Sequence, residues 1–485
     1  MNRALFALVT MTAAAAGFGA CSSNDDSQSV LPRSAMLDPE TCKTCHADHY
    51  REWSGSMHAY AADDPVFLAM NKRGQRETAG ALGDFCVKCH APMAVREGAT
   101  KDGLNLDTVP RALKGVTCFF CHSVDAVEGT HNGALHVSDD LVMRGGFADP
   151  VANTAHRAGY SHLHDRDKVD SAAMCGTCHD IVTNHGAALE RTFSEWQASV
   201  FSHAPGGATC GQCHMAQGTK LEPVAQAPNV FARRRHSHTF PGVDVALTPF
   251  PETDAQKSEV KSFLDSTLQS ALCVSTAGGT QMRVLLDNVG SGHSFPSGAS
   301  QDRRVFTEVI AYAGANVVYQ SGVLDPKTAI VHSTDPDLWL MRDCIFDPSG
   351  AEAHMFWEVA STEGNALLAQ VTFDALDPRF FMTHIERIFP RTGTVAATAD
   401  RVTLRVRVQP MGKDVLDDLV TSGDLDATLI DKMPTHDVGD LLEWTAAGPS
   451  DTVLIDRIPY ACVTKTNFNV RADKVPAKEH VRCKP

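Results

Sequence analysis

Five copies of Cys-x-x-Cys-His crowd into residues 42 to 214 of a 485-residue chain: Cys42/Cys45/His46, Cys86/Cys89/His90, Cys118/Cys121/His122, Cys175/Cys178/His179 and Cys210/Cys213/His214. Chance would place roughly 0.02 such matches in a chain of this composition. The pattern has a chemical reason. Two thiols a helical turn apart reach the two vinyl groups of one porphyrin, and the imidazole that follows lies under the iron. Each copy therefore reads as a covalent attachment site for haem c, five in all, with His46, His90, His122, His179 and His214 as proximal ligands. Zinc binding or thiol exchange would need neither the trailing His nor five repeats.

The first 20 residues carry one basic residue, an apolar stretch and small residues before Cys21, the layout of an export signal. Phe18-Gly19-Ala20-Cys21 is similar to a bacterial lipobox, with Phe where Leu usually stands, and makes Cys21 a lipidation site. Residues 21–37 then read as a polar tether from lipid to domain. The expected location is an exported outer-membrane lipoprotein facing the periplasm or the cell surface. The formal charge is -15, and loss of Arg3 with the signal takes it to -16 because residues 1–20 contain no acid. That balance argues against nucleic acid and for partners with basic docking faces.

Residues 38–245 form the expected pentahaem domain, with so little polypeptide per cofactor that porphyrin supplies much of the core. Residues 47–60 and 191–201 read as short helices, and no regular sheet is expected before about residue 245. A low-spin haem needs a second axial ligand, most often His. Eleven non-motif His lie between residues 49 and 238: His49, His58, His131, His136, His156, His162, His164, His185, His203, His236 and His238.

Trp53-Ser-Gly-Ser56-Met-His58 matches a WxxSxH pattern, and Glu190-Arg-Thr-Phe-Ser-Glu-Trp196 precedes Cys210-Gly-Gln-Cys213-His214-Met215. Residues 40–242 thereby resemble multihaem cytochromes c related to the tetrahaem carrier of ammonia oxidisers and to the octahaem hydroxylamine oxidoreductase and tetrathionate reductase group. The resemblance implies His58 and His238 as distal ligands, with His131, His136 and His156 as further candidates. Trp196-Gln-Ala-Ser199-Val-Phe201 repeats the WxxSx frame with Phe201 in the place of His58. The fifth haem is then served by His203, or from elsewhere, or left open. Positions 201 and 203 point to nearly opposite sides of a helix that advances about 100° per residue, so His203 requires the helix to end first, as Pro205-Gly206-Gly207 allows.

Beyond residue 245 the composition changes. Residues 246–272 are expected to hold a connecting helix, over 254–272, and residues 273–485 a β-rich domain. Strand-forming runs at 282–286, 304–312, 355–359, 366–373 and 402–408 read as an antiparallel sandwich. The fold class is thus α+β: a mainly helical, loop-rich multihaem domain followed by an antiparallel β-sandwich-like domain. The Gly-rich segment around His293 reads as a tight connection or as a close approach to a haem, with His293 a candidate interdomain ligand. Cys273, Cys344, Cys462 and Cys483 form an even set in an exported chain and read as two disulfides of open connectivity.

The favoured function is an exported pentahaem c-type cytochrome relaying electrons between periplasmic or cell-surface redox partners, such as quinol dehydrogenases, other cytochromes or terminal reductases. A membrane contact through the lipid and no nucleic acid complete the expectation. The alternative is an oxidoreductase acting on a small nitrogen or sulfur compound at an open-coordination haem. No CxxCK motif, which would point to nitrite reduction, is present. A third possibility, a subunit of a cytochrome filament, is permitted by the surplus His but not indicated.

Overall fold

A computed structural model of the protein describes residues 30–203, 205–464 and 468–483. The expected signal and Cys21 lie outside the described residues. The expected tether is corrected at its end: Arg33–Leu37 forms a helical turn whose Met36 and Leu37 are buried in the haem-half core. Two apolar side chains after a polar run are enough to anchor it.

The haem-bearing half is built from short helices, and most motif helices have an identifiable start. Asp38 caps Pro39–Lys43 by accepting from Glu40 N at 3.0 Å. Thr117 and Thr209 cap Cys118–Ser123 and Cys210–His214, accepting from Phe120 N at 3.3 Å and Gln212 N at 3.1 Å. A hydroxyl or carboxylate there satisfies a backbone donor the helix cannot. The expected helix at 47–60 is two helices, Ala47–Ser54 and Met57–Tyr60, parted at Gly55. That at 191–201 is Thr192–Ala198 followed by a 3-10 turn, Val200–Ser202.

The expectation of no sheet before residue 245 is corrected by four two-stranded ladders. Val124–Val127 pairs with Leu135–Val137, Val142–Gly145 with Arg157–Tyr160, Asp180–Val182 with Ala188–Arg191, and Gln217–Pro223 with Ala232–His236. Three pair the backbone of connections between haem motifs and the fourth follows the last motif, where polar groups must find partners but apolar periodicity is too short to read.

The connecting helix is Thr253–Asp265; the expected continuation to 272 is instead strand Leu268–Ser275. That short apolar run fits either period, and pairing on both edges decides it. It sits in a six-stranded sheet ordered Asp451–Ile455, Ile458–Thr464, Leu268–Ser275, Gln281–Asn288, His384–Phe389, Val475–Pro476. The second sheet is centred on Arg304–Ala313 and Arg401–Gln409, antiparallel in register Arg304↔Gln409 through Tyr312↔Arg401. Leu272, Val274, Met282, Val284 and Leu286 of one sheet share a core with Val305, Val309, Val402, Leu404, Val406 and Val408 of the other. Burying each such side chain contributes roughly 1.5–3 kcal/mol.

Two expected strands are not strands. Residues 355–359 hold a 3-10 turn, Phe356–Glu358, and residues 366–373 are irregular apart from a bridge between Leu367 and Phe295. The cause is tertiary. Met355 and Trp357 join Val66, Ala69 and Leu82 of the haem half in one core with Leu247, Leu416 and Leu419. Gln370 O accepts from Val200 N at 2.8 Å. The halves are also tied by Arg76, bidentate on Asp424 at 2.6 Å, and by Arg191 on the buried Asp343 at 2.6 Å. Among the described residues no helix is long and apolar enough to cross a membrane.

Candidate haem-iron centres

The thiols of different motifs meet. Cys42 is in hydrogen-bonding contact with Cys118, Cys89 with Cys178, and Cys175 with Cys210. Cys121 lies within electrostatic reach of Cys175 and Cys178. The attachment sites therefore form a contiguous branched row, first to third to fourth to fifth, with the second beside the fourth.

Cys45 keeps the expected spacing, a helical turn from Cys42, since His46 N–H donates to Cys42 O at 2.8 Å as His90 N–H does to Cys86 O at 3.3 Å, but it lies just past the end of its helix. Cys89, Cys121, Cys178 and Cys213 all lie within their motif helices, but the first motif's helix ends at Lys43. Cys45 sits half-buried in the turn that follows. The backbone explains the difference. Cys45 N–H donates to Cys42 O at 3.2 Å, but Cys45 O accepts from Gln226 N at 2.7 Å, so a distant loop takes the carbonyl that a continuing helix would use. Cys45 enters no disulfide, as its expected attachment role with Cys42 requires.

The imidazoles are set up as metal ligands by their backbone partners. Nδ1–H of His46 donates to Val224 O at 2.9 Å, of His90 to Ala61 O at 3.0 Å, of His122 to Arg144 O at 2.5 Å and of His214 to Pro241 O at 2.8 Å. A carbonyl can only accept, so each ring carries its proton on Nδ1 and keeps the Nε2 lone pair for a metal. Burial pushes His90, His179 and His214 down to about 4, each lowered further by a neighbouring imidazole, and lowers His122 as well. Neutral imidazole is the ligating form.

Three of these rings face a second imidazole at one spacing. Ring centroids are 6.4 Å apart for His46 and His156, 6.3 Å for His179 and His58, and 6.5 Å for His122 and His238. Two imidazole nitrogens, each about 2.0 Å from one metal ion on opposite sides, set their centroids about 6.3 Å apart. Nδ1–H of His156 donates to Arg157 O at 3.1 Å and that of His238 to His236 O at 3.1 Å, again freeing Nε2. The donor set fits iron held by two imidazoles at three of the five motifs.

His58 is positioned by its own frame. Trp53 Nε1–H donates to Val116 O at 2.8 Å, Ser56 Oγ–H to Trp53 O at 2.7 Å, and Val116 N–H to His58 O at 2.9 Å. A Cβ on Gly115 would lie 2.6 Å from His58 O, so only glycine permits this approach. The second frame is built alike: Trp196 Nε1–H donates to Ala208 O at 2.8 Å, Ser199 Oγ–H to Trp196 O at 2.7 Å, and a Cβ on Gly207 would lie 2.5 Å from Phe201 O.

Three candidates are not brought to a motif. His131 and His136 are exposed, the former beside Thr130 and the latter donating to Asp125 at 2.5 Å. His203 is exposed at the end of the 3-10 turn, so the helix stops as expected but its ring turns to solvent. His162 and His185 are also exposed, and His236 is half-buried with its Nε2 near the Gln217 amide at 3.5 Å. His164 stacks beside His122 at 5.7 Å, but its Nε2–H donates to Cys121 O at 2.7 Å, which places it on the proximal side. His49 packs edge-on against His238 at 4.7 Å. For His90 and His214, no described imidazole lies at the paired spacing; Phe67 stacks flat on the His90 ring at 4.0 Å and Phe263 lies tilted against the His214 ring at 4.9 Å.

Cys273 is bonded to Cys462 directly opposite it in the sheet, and Cys344 to Cys483, which secures the C-terminal segment. His480 lies close to the latter pair, its Nε2–H donating to Arg342 O at 3.0 Å. Sequence reasoning missed the carbonyls that orient the rings and the Trp links between frame and motif. The links had a signal: each Trp donates to the residue two before a motif's first Cys.

A family model for cytochrome c554 and c-prime matches residues 41–123. The crystal structure of a penta-heme cytochrome c552 from Thermochromatium tepidum is similar to this chain with a TM-score of 0.58 at 20% identity, covering 85% of this chain and 99% of that one. At that identity the likeness is one of fold. No curated protein matches. The five motifs and the family model over residues 41–123 support a multihaem c-type cytochrome, with c-type haem as the cofactor.

Proposed function

We propose that the protein is an exported, lipid-anchored pentahaem electron carrier that relays charge between redox proteins at the periplasmic or cell-surface side of the outer membrane. The observation that carries this reading is the contiguous row of attachment thiols, Cys42 to Cys118, Cys121 to Cys175 and Cys178, Cys175 to Cys210, with Cys89 on Cys178. Covalently held haem supplies a reversible one-electron couple at each site. The chain's part is to hold neighbours close and to keep three irons closed with paired imidazoles, as a carrier requires. Quinol dehydrogenases, other cytochromes and terminal reductases are the proposed class of partner, and kinship with the tetrahaem carrier and octahaem enzymes remains the proposed lineage.

A second reading, an oxidoreductase of small nitrogen or sulfur compounds, is favoured by one observation: His90 has no described imidazole opposite it. Optical and paramagnetic spectra of the purified holoprotein decide between them. A carrier gives five haems per chain, predominantly low-spin and inert to nitrite and hydroxylamine. Turnover of either compound at a high-spin haem would put the enzyme first.

A further inference from the structure

We infer that His293, a residue of the sandwich domain, is the second axial ligand of the iron held by His214, so that the sandwich completes the fifth haem site. The inference rests on the electron-carrier reading and names the ligand it requires.

Elimination narrows the choice. His58, His156 and His238 stand opposite the fourth, first and third proximal rings, and His131, His136, His162, His185 and His203 are exposed. His293 is half-buried on the side of the sandwich that meets the haem half; His179 and Arg303 act on it electrostatically, and it acts in turn on His214. Its Nδ1–H donates to Ser294 O at 2.9 Å, the backbone latch that frees Nε2 in His156 and His238.

The loop that carries it is fixed from both sides. On the sandwich side, Asn288 donates its amide to His293 O at 2.7 Å, and Phe295 exchanges two backbone hydrogen bonds with Leu367 at 2.8 Å. Gly290 N–H donates to Thr267 O at 3.0 Å, and a Cβ at Gly290 would fall 2.0 Å from Ser266 O, so no other residue fits. On the haem side, the Glu195 carboxylate accepts from Ser294 N at 3.2 Å and Ser297 Oγ at 2.7 Å, and Thr192 Oγ1 accepts from Gly298 N at 3.0 Å. Glu195 and Thr192 lie on the helix that leads into the Cys210 motif. A ligand on a loop clamped to the same helix that precedes the fifth haem is held in place rather than recruited.

His293→Ala and His293→Met holoprotein test this, with His203→Ala as control. Wild type must first show five haems; fewer would defeat the carrier reading before any variant is compared. In His293→Ala, five haems with one additional high-spin iron per chain, able to bind carbon monoxide when reduced, is expected, while His203→Ala keeps the wild-type count. Five haems with an unchanged spin count would overturn the inference. Should His293→Ala lose haem or fail to fold, His293→Met decides: one haem acquiring histidine–methionine spectra and a raised potential supports the ligand, and an unaltered spectrum overturns it.

Discussion

Ala208 donates its backbone N–H to the carbonyl of Phe201 at 2.9 Å, the same bond that Val116 makes to His58. The two WxxSx frames are therefore structural repeats, each hooked by its Trp to the residue two before a motif. Beside the Cys118 motif, the frame's His58 stands over the ring of the next motif, His179. Beside the Cys210 motif no further motif follows, so Phe201 occupies a ligand's place with no iron to serve. It packs on Phe373 of the sandwich at 5.7 Å instead. Of the three sequence alternatives for the fifth haem, service from this frame through His203 finds no support in an exposed ring, and the frame reads instead as the mark of where the row of haems ends.

Restoring the lost residue should therefore do little to the cofactors. Phe201→His is expected to leave the number of low-spin haems unchanged, because its position is matched to a motif the chain lacks. Paramagnetic resonance of the variant checks this. A high-spin haem converted to low-spin would show that the frame does serve an existing iron.

His58→Ala should open the iron of the fourth motif and no other, giving one new high-spin haem per chain with five haems retained. Trp53→Phe removes the hydrogen bond to Val116 O and part of a buried indole, at a cost of about 2 kcal/mol to stability. Its spin count should match wild type; a fully high-spin fourth haem in Trp53→Phe would make the link essential for ligation.

The motifs were legible because covalent chemistry fixes both residue type and spacing. The backbone under them was less so: the turn at Cys45 is tied through its carbonyl to Gln226, 181 positions further along the chain. His58 was readable through the WxxSx frame that holds it, and His238 only through the family resemblance. His131 and His136 lay in the same gap as His156 and looked equivalent, but ring placement there depends on the Val142–Gly145 and Arg157–Tyr160 ladder, whose parallel pairing no local pattern announces. The run at 355–359 read as a strand because its apolar residues are real core residues whose partners are in the haem half, whereas in 366–373 Leu367 joins the sandwich core and Leu368, Val371 and Phe373 are exposed; single-segment periodicity carries no record of either.

The two bridges should differ in consequence. Replacing Cys273 and Cys462 together by Ala frees a 189-residue loop and is expected to lower stability by about 2–4 kcal/mol, read by guanidinium unfolding of the sandwich. Alkylation of unfolded, unreduced wild type should label none of Cys273, Cys344, Cys462 or Cys483. Labelling at all four would exclude both bridges.

Glu190 gives the protein a pH dependence of definite sign. It lies in the strand Ala188–Arg191, and burial lifts its carboxyl to about 7 from an ordinary 4.5. Asp302, Asp244 and Asp180 push the same way, and only Arg303 among its influences opposes them. Between about 4.5 and about 7 the folded chain keeps a proton that the unfolded chain has released, so this group's contribution to stability falls as pH rises through that window and is constant above it. Glu190→Gln keeps the shape of the protonated acid and cannot ionise. Variant and wild type should be about equally stable near the low end of the window, and the variant should become progressively the more stable towards pH 8. Taking the difference between the two cancels Asp64, which burial also raises to about 6; Asp302, raised to about 6 as well, interacts with Glu190 and its change is part of the difference. Guanidinium unfolding of both proteins across that range measures the difference, and one that does not change with pH would mean that Glu190 is ionised in the folded state throughout.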